Sequence, residues 1–442
     1  MLLWLGLVVR ALQFPWTGVV SYAGFAVLCP KWNWRWGLPD WDYQKFLAGA
    51  TLLGWLMMGL SRQRLTRAGK LSMMALAGYL ALTFLSSTQT LNPEKSAKFL
   101  DISWKIVLMS FVSVYTLQRP KYLLVFAFVV VFCQGWNAFN INQLYYQQGI
   151  NVSYFRWNFL DNNTYSISSL PVMAIAFAAM VTTTHRYGRI LAGIVFLLQM
   201  HQLMILQSRG TMLGALLLAA LGVWFMPKNK TSWSIVLAGF LAGAVLAGPS
   251  VVQEFTSSFA QSGSLDSSAE SRYRLWKAGA GIMKDHPWLG VGPWAGEVLV
   301  PQYYEGGLPG VGRKALHNLF FEVGTGSGIP ALILYLLAFA IPWWGHFQQW
   351  QTNRFEMPEW MQMVNLAVLC GIPGYWLSSM FSSGALIEAP YFLIVIGVAS
   401  LSVFSRFLDD EYDQAQREFD DWEESEPDFF VDENSYSDLQ LQ

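Results

Sequence analysis

Apolar segments of about 17–25 residues recur along the chain, and each is long enough to cross a lipid bilayer as a helix. Hydrophobic residues make up 54% of the 442 residues and charged residues 13%, against about 25% charged in ordinary soluble domains. The pattern predicts an all-α polytopic membrane protein with about twelve transmembrane helices. The segments lie near residues 2–29, 45–60, 71–88, 99–117, 121–138, 165–184, 188–206, 210–226, 233–249, 317–340, 361–383 and 388–405.

Clusters of Lys and Arg lie in alternate loops between these segments, at residues 62–70, 119–121, 186–189 and 228–230. Because cytoplasmic loops carry an excess of these residues, the pattern predicts a cytoplasmic amino terminus and, with it, a cytoplasmic carboxyl terminus. Residues 2–29, interrupted by Arg10 and Pro15, form either one span or an interfacial helix followed by a span.

This orientation divides the chain into four predicted regions. Nine spans occupy residues 1–250, one large extracytoplasmic loop occupies 251–316, and three spans occupy 317–408. The last region, 409–442, is rich in Asp and Glu with little apolar content. Such a block of like charge predicts a disordered cytoplasmic tail.

Polar motifs that contain arginine lie at the predicted outer face. Arg209 lies in a Ser-Arg-Gly turn between two apolar helices, and Arg272 and Arg274 lie in the large loop. A guanidinium group can donate two parallel hydrogen bonds to phosphate, which makes Arg209 and Arg272 candidates for a lipid-phosphate site. The alternatives are a helix-end anchor for Arg209 and surface charges for the loop pair. A helix is predicted to begin near Trp276, and two arginines at i and i+2 share no helix face.

Other polar residues of interest lie at the same predicted face. His317 and Asn318 open an apolar segment, and Glu322 follows them. A histidine near neutral pKa can accept a proton from a sugar hydroxyl, and the positive end of a helix dipole favours its neutral form. The alternative for His317 is a capping or interface role. The motif Asp161-Asn-Asn163 precedes the sixth span, and Lys105 lies about two turns into the fourth.

No metal, nucleotide or nucleic-acid site is predicted. The sequence has no close pairing of His with acidic residues at helical spacing, no Cys-His cluster, no P-loop and no dinucleotide fingerprint. Cys29, Cys133 and Cys370 lie in or at the end of apolar segments, so no disulfide framework is expected. A reaction at the outer face would draw its energy from an activated, lipid-linked donor.

Several short motifs follow one another in the chain: Ser208-Arg-Gly210, Arg272 with Trp276, Asp285-His-Pro-Trp-Leu-Gly-Val-Gly292, and His317-Asn318 with Glu322. In this order they resemble the O-antigen ligase/polymerase family of bacterial inner-membrane proteins. A second set looks like the branch of O-glycosylation ligases associated with exosortase systems: Arg10, Pro15-Trp-Thr-Gly18, Trp36-Gly37 and Asp161-Asn-Asn163.

The resemblance implies a glycosyltransferase that moves a glycan from undecaprenyl diphosphate to an acceptor hydroxyl on a lipid, protein or polysaccharide, without metal or cofactor. Carried onto this chain, Arg209 and Arg272 would hold the diphosphate, and His317 would activate the acceptor. Asn318 and Glu322 would orient His317. In-line attack behind the anomeric carbon would invert its configuration. The residues expected at the donor or sugar site are Arg274, Lys105, Asp161 and Asn163.

Three alternatives stay open. A polysaccharide polymerase of the same family would use the same residues, with a second lipid-linked glycan as acceptor. A transporter or flippase for a polar lipid would also place charges near its spans, although the sequence shows no internal repeat. A scaffold would explain the acidic tail but not the arginines and histidine.

Overall fold

The structure, a computed structural model, describes residues 1–60, 64–246, 267–306 and 314–425. The described residues form helices and contain no β-strand, so the chain is an all-α polytopic membrane protein, as predicted. Seven of the described helices are long and apolar enough to cross a membrane, while the others are shorter or less apolar. The helices are α1 Leu2–Gln13, α2 Pro15–Leu28, α3 Pro30–Asn33, α4 Tyr43–Met57, α5 Arg67–Ser87, α6 Pro93–Thr116, α7 Pro120–Gln148, α8 Asn162–Thr182, α9 Arg186–Ile205, α10 Arg209–Phe225, α11 Lys230–Leu246, α12 Ser267–Asp285, α13 Val300–Tyr303, α14 Leu319–Ser327, α15 Ile329–Asn353, α16 Glu359–Ser379 and α17 Ala389–Ser425.

The long helices alternate in direction between two ends of the bundle. At one end, Glu359 at the start of α16 accepts a hydrogen bond from Thr183, which follows α8, at 2.5 Å. At the same end, Trp350 near the end of α15 donates to the carbonyl of Phe225 at the end of α10, at 3.2 Å. We call this the basic end because the described Lys and Arg clusters adjoin the helix ends there, and we call the other the site end. The clusters comprise Arg64, Arg67, Lys70, Arg119, Lys121, Arg186, Arg189, Lys228 and Lys230, whereas Arg62 lies outside the described residues.

The first apolar segment is a helical hairpin, which differs from both forms predicted for residues 2–29. Pro15 opens α2 directly after the non-helical residue Phe14, and the chain reverses there. The reversal places Met1 beside Tyr43, whose hydroxyl lies 3.9 Å from the methionine sulfur. Met1 therefore lies at the site end of the bundle, whereas the sequence analysis placed it with the basic clusters.

The predicted span 317–340 is two helices, α14 and α15, which meet at Gly328. This glycine has φ +88°, and a Cβ there would lie 2.1 Å from the carbonyl oxygen of Trp288. The Gly-rich turn that follows Trp288 pairs with the end of α14, since the amide of Val291 donates to the carbonyl of Thr325 at 2.9 Å. The Asp-His-Pro-Trp-Leu-Gly-Val-Gly motif therefore attaches the large loop to the membrane bundle.

The described part of the large loop has a small apolar core of its own. Helix α12 begins at Ser267 rather than near Trp276, so that Arg272 and Arg274 both lie within it. Because they are two positions apart, the two side chains leave the helix in different directions. The core residues are Leu275, Ile282, Val291, Ala295, Val300 and Leu316.

The last helix runs further than the sequence analysis predicted. Helix α17 continues to Ser425, through the first half of the region 409–442 that was predicted to be disordered. That stretch contains neither Gly nor Pro before Pro427, and most of its residue types form helices readily. Residues 426–442 lie outside the described part of the chain. The compact unit Met1–Ser402 contains every candidate site residue.

Candidate functional site

Four predicted site segments meet at the short loop Met380–Ser383, which follows α16 at the site end. Asn318 donates a hydrogen bond from its side-chain amide to the carbonyl of Met380 at 2.9 Å. The same side chain caps α14, because its oxygen accepts from the amides of Phe320 and Phe321 at 2.9 and 3.2 Å. Asn318 is thus a buried structural residue that holds the segment carrying His317 against this loop.

Phe381 brings the two arginine-bearing helices to this loop. A Cβ added at Gly210 would lie 2.5 Å from the Cβ of Phe381, so α10 packs against it without intervening atoms. On the α12 side, the ring of Trp276 lies 5.8 Å from the Phe381 ring, centroid to centroid. Arg209 precedes Gly210, and Arg272 lies one helical turn before Trp276. Both arginines are therefore carried to the same corner of the bundle, where each is partly buried.

The start of α8 joins the same corner through Ser382. The hydroxyls of Ser382 and Thr164 lie 3.4 Å apart. Asp161 caps this helix, accepting from the amides of Asn163 and Thr164 at 3.0 and 3.1 Å, while its carboxylate stays exposed. Asn163 is partly buried beside it.

His317 directly precedes Asn318 at this corner, is exposed, and has a left-handed backbone conformation with φ +47°. Desolvation of the ring lowers the pKa of His317 below its ordinary value, and the positive charges of Arg272 and Lys314 lower it further. The carboxylate of Asp161 acts in the opposite direction. The imidazole is therefore neutral near pH 7, which is the form that accepts a proton. The charges of Arg272 and Asp161 therefore act on His317 in opposite directions.

Two predicted site residues lie outside this corner. Arg274 forms an ion pair with Glu270 on its own helix and lies against Gly306, on the other side of α12. Lys105 forms an ion pair with Asp101 at 2.6 Å, on the outer part of α6. Neither side chain points to the turn that holds His317.

Glu322 was predicted to orient His317, but it is directed to a separate cavity. Its carboxylate accepts a hydrogen bond from the indole nitrogen of Trp294 at 2.7 Å and also interacts with Ser383. Burial raises the pKa of Glu322 above its ordinary value, and the hydrogen bonds from Ser383 and Trp294 partly offset that effect. The cavity has a volume of about 430 Å³.

Sequence reasoning missed the loop Met380–Ser383 and the lysines of α6 that face the cavity, Lys95 and Lys98. The loop has no titratable side chain, and no motif marks it. Within the described residues, no group of three His, Cys, Asp or Glu side chains is arranged to hold a metal ion.

Residues 192–336 match the family model described as O-antigen ligase. This segment is an O-antigen ligase domain. It contains the whole described part of the large loop, Arg209 of α10, Arg272 of α12, His317 and Glu322. It does not contain Asp161, Asn163 or Lys105. Members of this family are ligases and glycosyltransferases, and the family implies lipid-linked glycan and acceptor substrates, so the match supports an enzymatic role for the chain. No curated protein matches the chain.

Proposed function

We propose that the protein transfers a glycan from undecaprenyl diphosphate to an acceptor hydroxyl. The observation that carries the proposal is the convergence of Arg209, Arg272 and a neutral His317 on the loop Met380–Ser383. Guanidinium groups bind phosphate oxygens with good geometry, and a neutral imidazole beside them can accept the proton of an attacking hydroxyl. The O-antigen ligase domain over residues 192–336 supports the same reaction class.

The site end is extracytoplasmic in this proposal, because the basic end of the bundle satisfies the positive-inside rule. The membrane is then the bacterial inner membrane, and the donor's polyprenyl chain remains in the bilayer while its diphosphate reaches the helix ends. Arg209 begins α10, where the positive end of the helix dipole also favours an anion.

The reaction forms a bond between the acceptor oxygen and the anomeric carbon and breaks the bond from that carbon to the diphosphate oxygen. The proton of the acceptor hydroxyl passes to His317, and undecaprenyl diphosphate leaves with the bonding electron pair. Arg209 and Arg272 neutralise the charge that develops on the leaving group, so the step requires neither metal nor nucleotide. General-base catalysis of this kind contributes about 10²–10⁴-fold. Attack from the face opposite the leaving group inverts the anomeric carbon.

The acceptor decides between a ligase, which modifies a lipid, protein or polysaccharide, and a polymerase, which extends a second lipid-linked glycan. The test incubates purified protein with an undecaprenyl-diphosphate-linked glycan and a mixed acceptor pool, in the presence of a chelator. Loss of the lipid-linked species by wild type, and its persistence with His317→Ala, would support the proposal, and the product would name the acceptor.

The matched control is Arg274→Ala, which removes a cation of the same loop helix that lies outside the site. It should leave turnover near the wild-type rate. If wild type binds the donor but transfers nothing to any acceptor, the proposed reaction is wrong and a polar-lipid transporter becomes the better explanation. If His317→Ala transfers normally, the role assigned to His317 is wrong.

A further inference from the structure

We infer that the cavity beside Glu322, next to the loop Met380–Ser383, binds the sugar residues of the acceptor. The inference rests on the proposed transfer reaction and names the place of its second substrate. The cavity is lined by Lys95, Lys98, Trp294, Glu297, Glu322 and Ser383.

The walls of the cavity are fixed by interactions between three elements. Lys95 of α6 forms an ion pair with Glu297 of the large loop at 2.5 Å. The indole of Trp294 donates to Glu322 of α14, and its ring packs edge-on against Phe99 with centroids 5.6 Å apart. A site held by paired groups on separate elements is preorganised, which reduces the entropy lost when a ligand binds.

The cavity adjoins the proposed base. Ala315 and Leu316 line it, and His317 is the next residue. On the loop, Ser383 lines the cavity, whereas Ser382 contacts Thr164 on the arginine side. A hydroxyl of a sugar held in the cavity would therefore lie next to His317, which in the proposed reaction is within reach of the donor's anomeric carbon.

The charges of the cavity suit a polyhydroxyl ligand better than a second diphosphate. Lys95 and Lys98 are accompanied by three carboxyl groups, those of Glu94, Glu297 and Glu322. A phosphate group would meet these acidic side chains and be repelled, whereas hydroxyl groups can both donate to carboxylates and accept from ammonium groups. Trp294 adds the apolar surface that small-molecule sites typically combine with a few polar groups.

The kinetic test titrates each substrate separately against saturating amounts of the other. Glu322→Gln keeps an oxygen that can accept from Trp294 but removes the charge, and Lys98→Met keeps the aliphatic stem. Each should raise the half-saturating concentration of the acceptor pool about tenfold, the effect of losing one charge-assisted hydrogen bond, with donor half-saturation unchanged. Lys121→Met, at the basic end, is the control and should change neither.

Equal changes in donor and acceptor half-saturation would show that Glu322 acts through the donor site and would overturn the inference. So would wild-type values in both cavity variants. If wild type itself shows no turnover with any acceptor, the proposed reaction fails first, and a binding measurement then decides whether the cavity takes sugars.

That measurement follows the rate at which a small charged thiosulfonate labels the cysteine in Lys98→Cys, with no donor present. The variant also carries Cys29→Ser, because Cys29 is the partly exposed natural cysteine, whereas Cys133 and Cys370 are buried. Oligosaccharides released by mild acid from the acceptor pool should slow labelling at position 98. They should not slow labelling of Lys121→Cys. Equal labelling rates with and without the oligosaccharides would show that the cavity does not bind them.

Discussion

Gly210 offers a test of whether close packing at Phe381 positions the proposed donor site. A Cβ at this position would lie 2.5 Å from the Cβ of Phe381 and 2.9 Å from its Cγ. Favourable carbon–carbon contacts are about 3.5–4.0 Å. Gly210→Ala must therefore move α10 and the loop apart by about 1 Å, and Arg209 is the neighbouring residue.

The expected magnitudes follow from this displacement. Overpacking costs about 1–3 kcal/mol, and the better helix propensity of Ala returns up to about 1 kcal/mol. We expect a net loss of about 1–2 kcal/mol in the free energy of unfolding. A misplacement of about 1 Å at a reacting site can lower the rate about 10²-fold, so activity should fall far more than stability.

The assay is the turnover of the lipid-linked glycan, measured with thermal unfolding of the same preparation in detergent. Gly49→Ala is the control, because a Cβ at that helical position meets no atom within 4 Å. It should keep full activity and equal or higher stability. Wild-type turnover by Gly210→Ala would refute the assignment of Phe381 as the contact that positions Arg209, and an equal loss with Gly49→Ala would make the effect non-specific.

Two further predictions concern charge. Because the pKa of His317 lies below its ordinary 6.5 and only the neutral ring accepts a proton, the acid limb of the pH–kcat/KM profile should have its midpoint below pH 6.5. Asp161→Asn keeps a helix cap but removes the negative charge that raises the pKa of His317, so the midpoint should move to lower pH. Lys314→Met removes a positive charge that lowers this pKa, so the midpoint should move to higher pH. Shifts of both variants in the same direction would contradict these charge assignments. Arg274→Ala and Lys105→Met should each change turnover less than about threefold, because exposed ion pairs contribute little, and a tenfold loss of turnover with either would place that residue in the site.

The sequence was sufficient to predict the convergence at the site end. Alternating spans and the positions of basic loops place the starts of α8 and α10 and the large loop at one end of the bundle. The residue types then identify Arg209, Arg272 and His317 by their chemistry. The family resemblance rests on the same residues, and the O-antigen ligase domain includes all three.

The features that were missed depend on tertiary contacts. The residue types of the loop Met380–Ser383 are common at the ends of membrane spans and do not mark a site. Its role follows from its contacts with Asn318 and Trp276 in the folded protein. Glu322 lies on the helix that follows His317, but its hydrogen bond with Trp294 directs it to the cavity. The hairpin at Pro15 could not be distinguished from one longer span by sequence, because two short apolar helices and one long apolar helix give the same hydropathy profile.

The lengths of helices were also underestimated where polar residues are common. Arg272 and Arg274 lie in a charged stretch that α12 includes, and α17 carries acidic residues as far as Ser425. Charge patterning predicts solvation rather than the absence of a helix, and Glu and Gln have good helix propensity. The predicted helix start near Trp276 was therefore too late in the chain.

The most direct test of the proposed roles separates donor binding from glycan transfer in two variants. Purified His317→Ala and Arg209→Ala are each measured for equilibrium binding of labelled undecaprenyl-diphosphate glycan and for single-turnover transfer to the identified acceptor. His317→Ala should bind donor like wild type and transfer it at least about 10²-fold more slowly, whereas Arg209→Ala should lose donor affinity. Transfer by His317→Ala at the wild-type rate, or wild-type donor binding by Arg209→Ala, would contradict the roles assigned to these residues.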